Sequence, residues 1–365
     1  MSNGDNQHTI EIISPGRINI IGEHLDYNGG DVLPMPIHLA TEIRLIKKQG
    51  VIYEVESSQF ENMLCRELKD NHPSDVKWHN YVIGVVSELM KISPLKIKGF
   101  KALIKGSIPV GAGLSSSASL TCGLLRGLNR LFDLHISKKN MALIAQRVEH
   151  QYTGTPCGIM DQYAILLGEK DKALYLNCHT LENKLIDISL QDFQWVLFNS
   201  NVKHNLSDSA YEKRVFETRT ALSIIQSQFP KYTHLAGVPL DLLKKCRKKM
   251  DDEVYKRALY VIEEQNRVEQ VVSLLTQNKF HQLGDLLYQS HQGLSSLYKV
   301  SCVELDYLVD LTKSIDGVLG ARMMGGGFGG CTLNLIEKTK VESTIELVSS
   351  QYKDQFKLEC SPIRL

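Results

Sequence analysis

The amino-acid sequence predicts an α+β protein of two domains. Its 365 residues correspond to about two domains at roughly 150 residues each, which is enough to bury two hydrophobic cores. Before about residue 190, β-like stretches mix with helical patterns. From Ser207 to about Lys313 the pattern is mostly helical, and the chain then closes with β-like runs. We therefore predict domains at 1–190 and 191–365, and leave open whether the last strand packs on the first domain.

Short apolar stretches mark the predicted strands. In the first domain they are Thr9–Ile13, Ala40–Ile46, Gly50–Val55, Phe100–Lys105 and Ala173–Leu176. The helical part of the second domain has apolar residues at spacings of three and four, as in Val254, Ala258, Val261 and Ile262. The closing β-like runs are Gly320–Met323, Cys331–Ile336 and Phe356–Leu358.

The charge balance argues against one class of partner. The 42 Lys and Arg residues nearly cancel the 41 Asp and Glu residues, which leaves a net charge of +1. A nucleic-acid binder needs a basic excess to neutralise phosphates. A small anionic ligand stays possible, because backbone N–H groups and one or two cations can hold it locally.

Targeting and cysteine patterns predict a cytoplasmic protein with no membrane segment. We also expect a monomer, although no sequence pattern gives the oligomeric state. Residues Met1–Thr9 are polar and lack both a basic stretch and an apolar stretch. No apolar run approaches the roughly 18 residues that span a bilayer. The eight cysteines are scattered without a C-x-x-C pair, so we expect reduced core thiols rather than disulfides or a zinc site.

A glycine- and serine-rich loop is the most informative segment. A predicted strand ends at Lys105, Gly106–Ser119 follows, and apolar residues at helical spacing continue to Phe132. This order directs free N–H groups and a positive helix end toward an anion. Glycines let a phosphate approach the backbone, and serine hydroxyls can bond phosphate or Mg²⁺. A capped helix alone would not need this composition, so the loop predicts a phosphate site. It is not a Walker A loop, because no Gly-Lys-[Ser/Thr] follows.

A second glycine-rich run, Gly325–Gly330, formally satisfies G-x-G-x-x-G. Dinucleotide binding requires a helix directly after such a loop. Instead, Cys331–Ile336 alternates like a strand, so the loop is predicted to join two strands. A Rossmann oxidoreductase is therefore disfavoured. A protein kinase is disfavoured as well, because no H-R-D or D-F-G set accompanies the glycines.

Near the amino terminus, Pro15–Gly30 concentrates a cation, carboxylates, an imidazole and amides. Such a density of short polar groups suits a polyhydroxylated ligand, whose hydroxyls each need a partner once desolvated. A polar surface turn would explain Asp26–Gly30 equally well. Taken alone, these residues leave both interpretations open.

Together these motifs resemble the GHMP small-molecule kinase family, and within it the members that phosphorylate galactose. Gly16–Tyr27 is similar to their sugar motif, Pro109–Ser119 to the ATP-phosphate motif and Gly320–Gly330 to the third motif. Met324 stands where the third motif usually has Ser or Thr. The resemblance implies an N-terminal domain like the second domain of ribosomal protein S5 and a ferredoxin-like C-terminal domain. It also implies ATP- and Mg²⁺-dependent phosphorylation of α-D-galactose at its anomeric hydroxyl.

The resemblance further implies a role for each site residue. Asp161 matches the catalytic carboxylate, with Arg17 beside it to stabilise charge, and Ser117 and Glu149 match the Mg²⁺ ligands. The residues matched to the nucleotide are Gly111, Ala112, Gly113, Leu114, Ser115, Ser116 and Ser117, with Trp78 and Tyr81 near the adenine. The residues matched to the sugar are Glu23, His24, Leu25, Asp26, Gly158 and Tyr211.

Two alternatives remain within this resemblance. One is a kinase for another sugar, such as N-acetylgalactosamine or arabinose, because pocket volume around one or two hydroxyls decides that choice. The other is a catalytically inactive sensor of galactose and ATP. Damage to the phosphate loop would favour the sensor, but Ser115–Ser119, Arg17 and Asp161 are complete.

Overall fold

A computed structural model describes residues 8–203 and 207–365. The chain divides into two compact units. Unit 1 comprises Met1–Arg17, Ile37–Pro109 and Ser115–Leu167, and unit 2 comprises Ile18–Pro36, Val110–Leu114 and Gly168–Leu365. Three stretches of the first 190 residues therefore belong to unit 2, namely Ile18–Pro36, Val110–Leu114 and residues 168–190. In the described part of the chain, no helix is long and apolar enough to cross a membrane.

The strands are β1 (Thr9–Asn19), β2 (Asp31–Val32), β3 (Pro34–Lys47), β4 (Ile52–Ser57), β5 (Leu64–Glu67), β6 (Phe100–Gly106), β7 (Lys172–Asn177), β8 (Asn183–Asp187), β9 (Phe193–Lys203), β10 (Val318–Met323), β11 (Gly329–Glu337) and β12 (Ser361–Arg364). The helices are α1 (Lys77–Ile92), α2 (Ser116–Leu131), α3 (Lys138–Tyr152), α4 (Met160–Leu167), α5 (Ser207–Gln226), α6 (Leu240–Cys246), α7 (Asp252–Thr276), α8 (Phe280–Gly293), α9 (Val303–Thr312) and α10 (Val341–Phe356).

The main sheet of unit 1 has the strand order β1-β3-β6-β4-β5, and α1 to α4 belong to the same unit. Helix α2 lies close against this sheet at two glycines. A Cβ atom on Gly127 would lie 2.2 Å from Cδ1 of Leu45, and one on Gly123 would lie 2.8 Å from Cδ1 of Ile43. Since real Cβ contacts are essentially never so short, a larger residue at either position would force the Leu45 or Ile43 side chain to shift. This packing fixes α2, and with it the end of the phosphate loop.

Unit 2 contains a four-stranded sheet in the order β10-β11-β9-β12 and a three-stranded sheet in the order β2-β7-β8. The four-stranded sheet and α10 share an apolar core that includes Val196, Phe198, Ile336, Val348 and Tyr352. In the four-stranded sheet β10 pairs with β11, β11 with β9, and the last strand β12 with β9, all antiparallel. The end of the chain therefore completes the sheet of unit 2.

One strand prediction is wrong. Phe356–Leu358 was expected to be β-like, but Phe356 ends α10 and Lys357 takes a left-handed conformation with φ of 58°. The final strand instead covers Ser361–Arg364. A left-handed residue directly after a helix stops the helix and turns the chain, so the apolar residues at this point pack as a helix end.

The glycine-rich run of the third motif does join two strands, as predicted. Met323 ends β10 and Gly329 begins β11, and the two strands pair antiparallel. Gly327 has φ of 84°, and a Cβ atom on it would lie 2.1 Å from the carbonyl oxygen of Val300. Both conditions require glycine. A strand, rather than a helix, therefore follows the glycines, which removes the structural basis for dinucleotide binding there.

Candidate active site

Asp161 and Arg17 form a side-on ion pair in unit 1. Asp161 lies in the first turn of α4 and Arg17 in β1. The Arg17 Nε donates to Oδ1 of Asp161 at 2.8 Å, and its Nη2 donates to Oδ2 at 3.0 Å. The guanidinium is buried, whereas the Asp161 side chain is 27% exposed. Two parallel bonds from a planar fork fix the carboxylate plane and leave an edge of it accessible.

Ser115 is the third partner of this carboxylate. It immediately precedes α2, in the N-cap position, with φ of 59° and no capping bond from its side chain. Its hydroxyl instead donates to Oδ2 of Asp161. An N-cap serine ordinarily satisfies a backbone N–H of the first helical turn. Here that bond is replaced by a contact to a carboxylate 46 residues away.

Glu149, near the end of α3, is a buried carboxylate with 4% of its surface exposed. The Gln162 Nε2 donates to its Oε1 at 3.0 Å. Burial, followed by repulsion from Asp161, raises the pKa of Glu149 to about 7, although Gln162, Cys157 and Arg17 oppose the rise. Burial and a neighbouring carboxylate both disfavour the ionised form of Glu149. A divalent cation bound beside it would stabilise that ionised form.

The Tyr81 phenol belongs to the same surroundings. Burial and the Glu149 carboxylate raise the pKa of Tyr81 to about 12, whereas hydrogen bonding to Thr153 and Ser117 acts in the opposite direction. The structure thus places Tyr81 beside Ser117 and Glu149, the two residues predicted to bind Mg²⁺. Trp78, three residues before Tyr81 on α1, is buried, and its ring stacks on Phe60 with centroids 6.0 Å apart.

The phosphate loop has the backbone that the sequence predicts. Gly111 and Gly113 take φ of 80° and 76°, which favour glycine. The side chains of Ala112 and Leu114 are buried, so only their backbone groups can reach a ligand. Gly113 lies against the backbone of Met324, since a Cβ atom on Gly113 would lie 3.3 Å from the Met324 carbonyl oxygen. Met324 itself is buried, and its N–H donates to the carbonyl of Cys331 at 2.9 Å.

The sugar motif in unit 2 is built around Glu23, which is 1% exposed. Its Oε2 accepts from Nδ2 of Asn19 at 2.9 Å. Its Oε1 accepts from the N–H of Gly325 at 2.7 Å and from Nη2 of Arg322 at 3.2 Å. Arg322 is fully buried and also donates to the carbonyls of Asn19, Ile20 and Met323. Glu23 and Arg322 therefore lock the sugar motif onto the β10–β11 hairpin.

His24 is surrounded by aromatic rings of unit 2. Its Nδ1 lies 2.8 Å from the Tyr27 hydroxyl, which in turn lies 2.8 Å from the Tyr298 hydroxyl. The Tyr211 ring lies 5.6 Å from the His24 ring. Burial, together with the positive charges of Arg214 and Arg322, lowers the pKa of His24 to about 3. The imidazole is therefore neutral at physiological pH and offers one donor and one acceptor.

The remaining predicted sugar residues occupy varied positions. Leu25 is fully buried, so its side chain contributes packing. Asp26 begins a short 3-10 turn, Asp26–Asn28, and is half-buried. Gly158, in unit 1, is buried just before α4.

Of the residues predicted for the nucleotide, Ser116 is half-buried in the first turn of α2.

In each unit, some residues that contact the predicted ones were not anticipated from the sequence. They are Gln162, Arg322, Tyr298 and, in its contact with Asp161, Ser115. Gln162 directly follows Asp161, so its proximity had a sequence signal. The other contacts join segments far apart along the chain, and a single sequence gives no sign of such pairing.

Three family models match the chain. GHMP kinases N terminal domain matches residues 80–169, Galactokinase galactose-binding signature matches 4–44, and GHMP kinases C terminal matches 271–354. The matches follow the order of the motifs along the chain. They confirm the predicted α+β fold with two GHMP kinase domains.

Full-length relatives agree with these models. A galactokinase of Clostridium perfringens is 38% identical over 99% of this chain and 94% of that protein. A galactokinase of Thermotoga maritima is 34% identical over 96% of each. Among solved structures, Lactococcus lactis galactokinase complexed with galactose is 34% identical, with a TM-score of 0.94 over 99% of this chain and 94% of that one. A mevalonate kinase, at 18% identity and a TM-score of 0.68, shares the fold.

Proposed function

Because the chain belongs to the galactokinase family of the GHMP kinases, we propose that it transfers the γ-phosphoryl group of ATP to the anomeric hydroxyl of α-D-galactose. The products are galactose 1-phosphate and ADP. The observation that carries the chemistry is the Asp161 carboxylate, which Arg17 holds side-on at 2.8 and 3.0 Å. The sugar is inferred from the galactose that the Lactococcus lactis relative binds. We further expect the protein to act as a cytoplasmic monomer.

Asp161 would act as the base. The proton of the anomeric hydroxyl passes to the carboxylate while the sugar oxygen forms its bond to the γ-phosphorus and the bond to the ADP oxygen breaks. Arg17 keeps the carboxylate oriented, and its positive charge opposes the negative charge that develops on the transferring group. Such a site works mainly by positioning and charge neutralisation.

Mg²⁺ fits the residues present. Glu149 is a buried carboxylate near Asp161, and Ser117 adds a half-buried hydroxyl. Both are hard oxygen donors, and Mg²⁺ is usually held by one or two carboxylates plus substrate phosphates. Across the described ranges, no group of three or more His, Cys, Asp or Glu side chains could hold a metal ion. When bound, Mg²⁺ neutralises phosphate charge.

The nucleotide would be held by the loop Gly111–Ser117. Positive φ at Gly111 and Gly113 brings the backbone within reach of phosphate oxygens. The amino end of α2 keeps its N–H groups available, since the Ser115 side chain makes no capping bond. Trp78 and Tyr81 remain proposed for the adenine end. The Tyr81 phenol, beside Glu149 and Ser117, could instead serve the metal side.

The proposed sugar contacts are Glu23, His24, Leu25, Asp26, Gly158 and Tyr211. His24 is neutral and ordered by Tyr27, so it can exchange a hydrogen bond with a hydroxyl without carrying charge. The Glu23 carboxylate already has partners on both oxygens. A sugar contact would use a remaining lone pair.

The decisive experiment measures Mg²⁺-dependent ADP release across a panel of free sugars, with Asp161→Asn as the inactive control. Galactose is expected to give the highest kcat/KM. Asp161→Asn should nearly abolish turnover while galactose binding stays detectable by calorimetry. Faster turnover of N-acetylgalactosamine or arabinose would reassign the substrate. Binding of galactose and ATP without ADP release would make the protein a sensor.

A further inference from the structure

Ser115 is matched to the nucleotide by its place in the phosphate loop, yet its side chain contacts something else. The hydroxyl carries a single proton, and that proton is donated to Oδ2 of Asp161. Phosphate oxygens and carboxylate oxygens are both acceptors, so one hydroxyl proton cannot serve both. While this bond is in place, the Ser115 side chain is not a donor to the nucleotide.

The three bonds to Asp161 divide its two oxygens unequally. Oδ2 accepts from Nη2 of Arg17 at 3.0 Å and from the Ser115 hydroxyl, whereas Oδ1 accepts only from Nε of Arg17 at 2.8 Å among the hydrogen bonds of the described residues. An ionised carboxylate has about four acceptor positions. The acceptor position that stays open is therefore on Oδ1. The three occupied positions fix the carboxylate through two residues, Arg17 and Ser115.

We propose that Ser115 is a positioning residue for the phosphoryl transfer: by occupying Oδ2 it leaves Oδ1 of Asp161 as the atom that receives the proton of the sugar hydroxyl. The inference rests on the proposed function. In the step, the sugar O–H bond breaks, the proton moves to Oδ1 and the sugar oxygen binds the γ-phosphorus. The bond from that phosphorus to the ADP oxygen breaks, and ADP leaves with the electron pair.

The backbone at Ser115 agrees with a role beyond capping. A φ of 59° is uncommon for a residue other than glycine, asparagine or aspartate. The Ser115 carbonyl accepts from the Ser119 N–H at 2.9 Å, but its side chain adds no cap bond to the helix. Ser137, which precedes α3, is the ordinary case: φ is −65° and its hydroxyl accepts from the Asn140 N–H at 3.3 Å.

The test compares Ser115→Ala and Ser115→Gly with Ser137→Ala. Loss of a hydrogen bond to a charged group is expected to lower kcat about 10- to 100-fold in both Ser115 variants. The KM for galactose and the Kd of a non-hydrolysable ATP analogue with Mg²⁺ should change by less than about twofold. Ser115→Gly also tolerates a positive φ, so it gives a folded reference if the alanine variant is unstable. Ser137→Ala should lower thermal stability but leave kcat unchanged.

Two results would overturn this role. One is an unchanged kcat in both Ser115 variants. The other is a nucleotide Kd that rises by the factor by which kcat falls, because that would identify a phosphate contact. If the unaltered protein releases no ADP with any sugar, the proposed function itself is wrong.

Discussion

Replacement of Glu149 by glutamine should stabilise the metal-free protein at alkaline pH. The pKa of this carboxyl rises to about 7 from 4.5, chiefly through burial and secondly through Asp161. The folded state therefore binds a proton that the unfolded state has released between about pH 4.5 and 7. Folding stability falls as the pH rises through this window, and the whole penalty is present above it.

The size of the effect follows from the shift. At about 1.4 kcal/mol per pKa unit, the rise corresponds to a cost of about 3 kcal/mol above pH 7, and of less than about 1 kcal/mol at pH 5. Glutamine carries no charge, so the cost disappears. The substitution also fits locally, because Gln162 Oε1 is buried without a hydrogen-bond partner among the described residues and can accept from the new amide.

Urea unfolding in the presence of EDTA, at pH 5 and pH 8, measures both values. We expect the free energy of unfolding of Glu149→Gln to be about 3 kcal/mol higher than that of the unaltered protein at pH 8, and to differ by much less at pH 5. Glu346→Gln, on the exposed side of α10, is the matched control and should change neither value by more than about 0.5 kcal/mol. An equal gain at both pH values, or no gain at pH 8, would show that Glu149 is not held as a costly buried charge.

Three further predictions test other parts of the site. Proton competition at Glu149 should weaken the apparent Mg²⁺ affinity about tenfold from pH 8 to pH 6, and a requirement for Mg²⁺ that is independent of pH would contradict its pKa of about 7. Arg17→Lys should lower kcat by at least about tenfold, because lysine cannot form the two parallel hydrogen bonds to the carboxylate. Arg364→Lys is the control: it loses two similar bonds to Glu342 on the surface and should leave kcat unchanged. Gly327→Ala should lower the free energy of unfolding by at least about 2 kcal/mol. Gly50 has a similar φ of 82°, but a Cβ atom on it would have nothing within 4 Å, so Gly50→Ala should cost about 1 kcal/mol. Equal costs would show that the close contact at Gly327 does not matter.

Local order was predictable from the sequence where a motif and a periodic pattern coincide. The strand, loop and helix around residues 100–131, and the hairpin of the third motif, were predicted and are present. Strand β9 was missed. Trp195–Phe198 are all buried, and a continuous apolar run in a central strand has no alternation by which to recognise it.

The contacts that give the site its detail depend on tertiary packing. From the sequence, Ser115 would be predicted as an ordinary helix N-cap. The structure shows instead that its hydroxyl bonds Asp161 of α4. Glu23 could be predicted as a polar residue of the motif, but its burial against Arg322 could not. The sequence thus proposes candidate residues, whereas the structure shows which of their atoms are hydrogen-bonded to each other.

The pairing of Glu23 with Arg322 also bears on how the chain folds during synthesis. The two residues are 299 positions apart, so more than four-fifths of the 365 residues must be made before the carboxylate meets its counter-ion. Strand β12, which completes the sheet of unit 2, comes later still. The sugar motif therefore leaves the ribosome long before the segments that complete its final environment. Until then its carboxylate and imidazole lack the partners that they have in the folded protein.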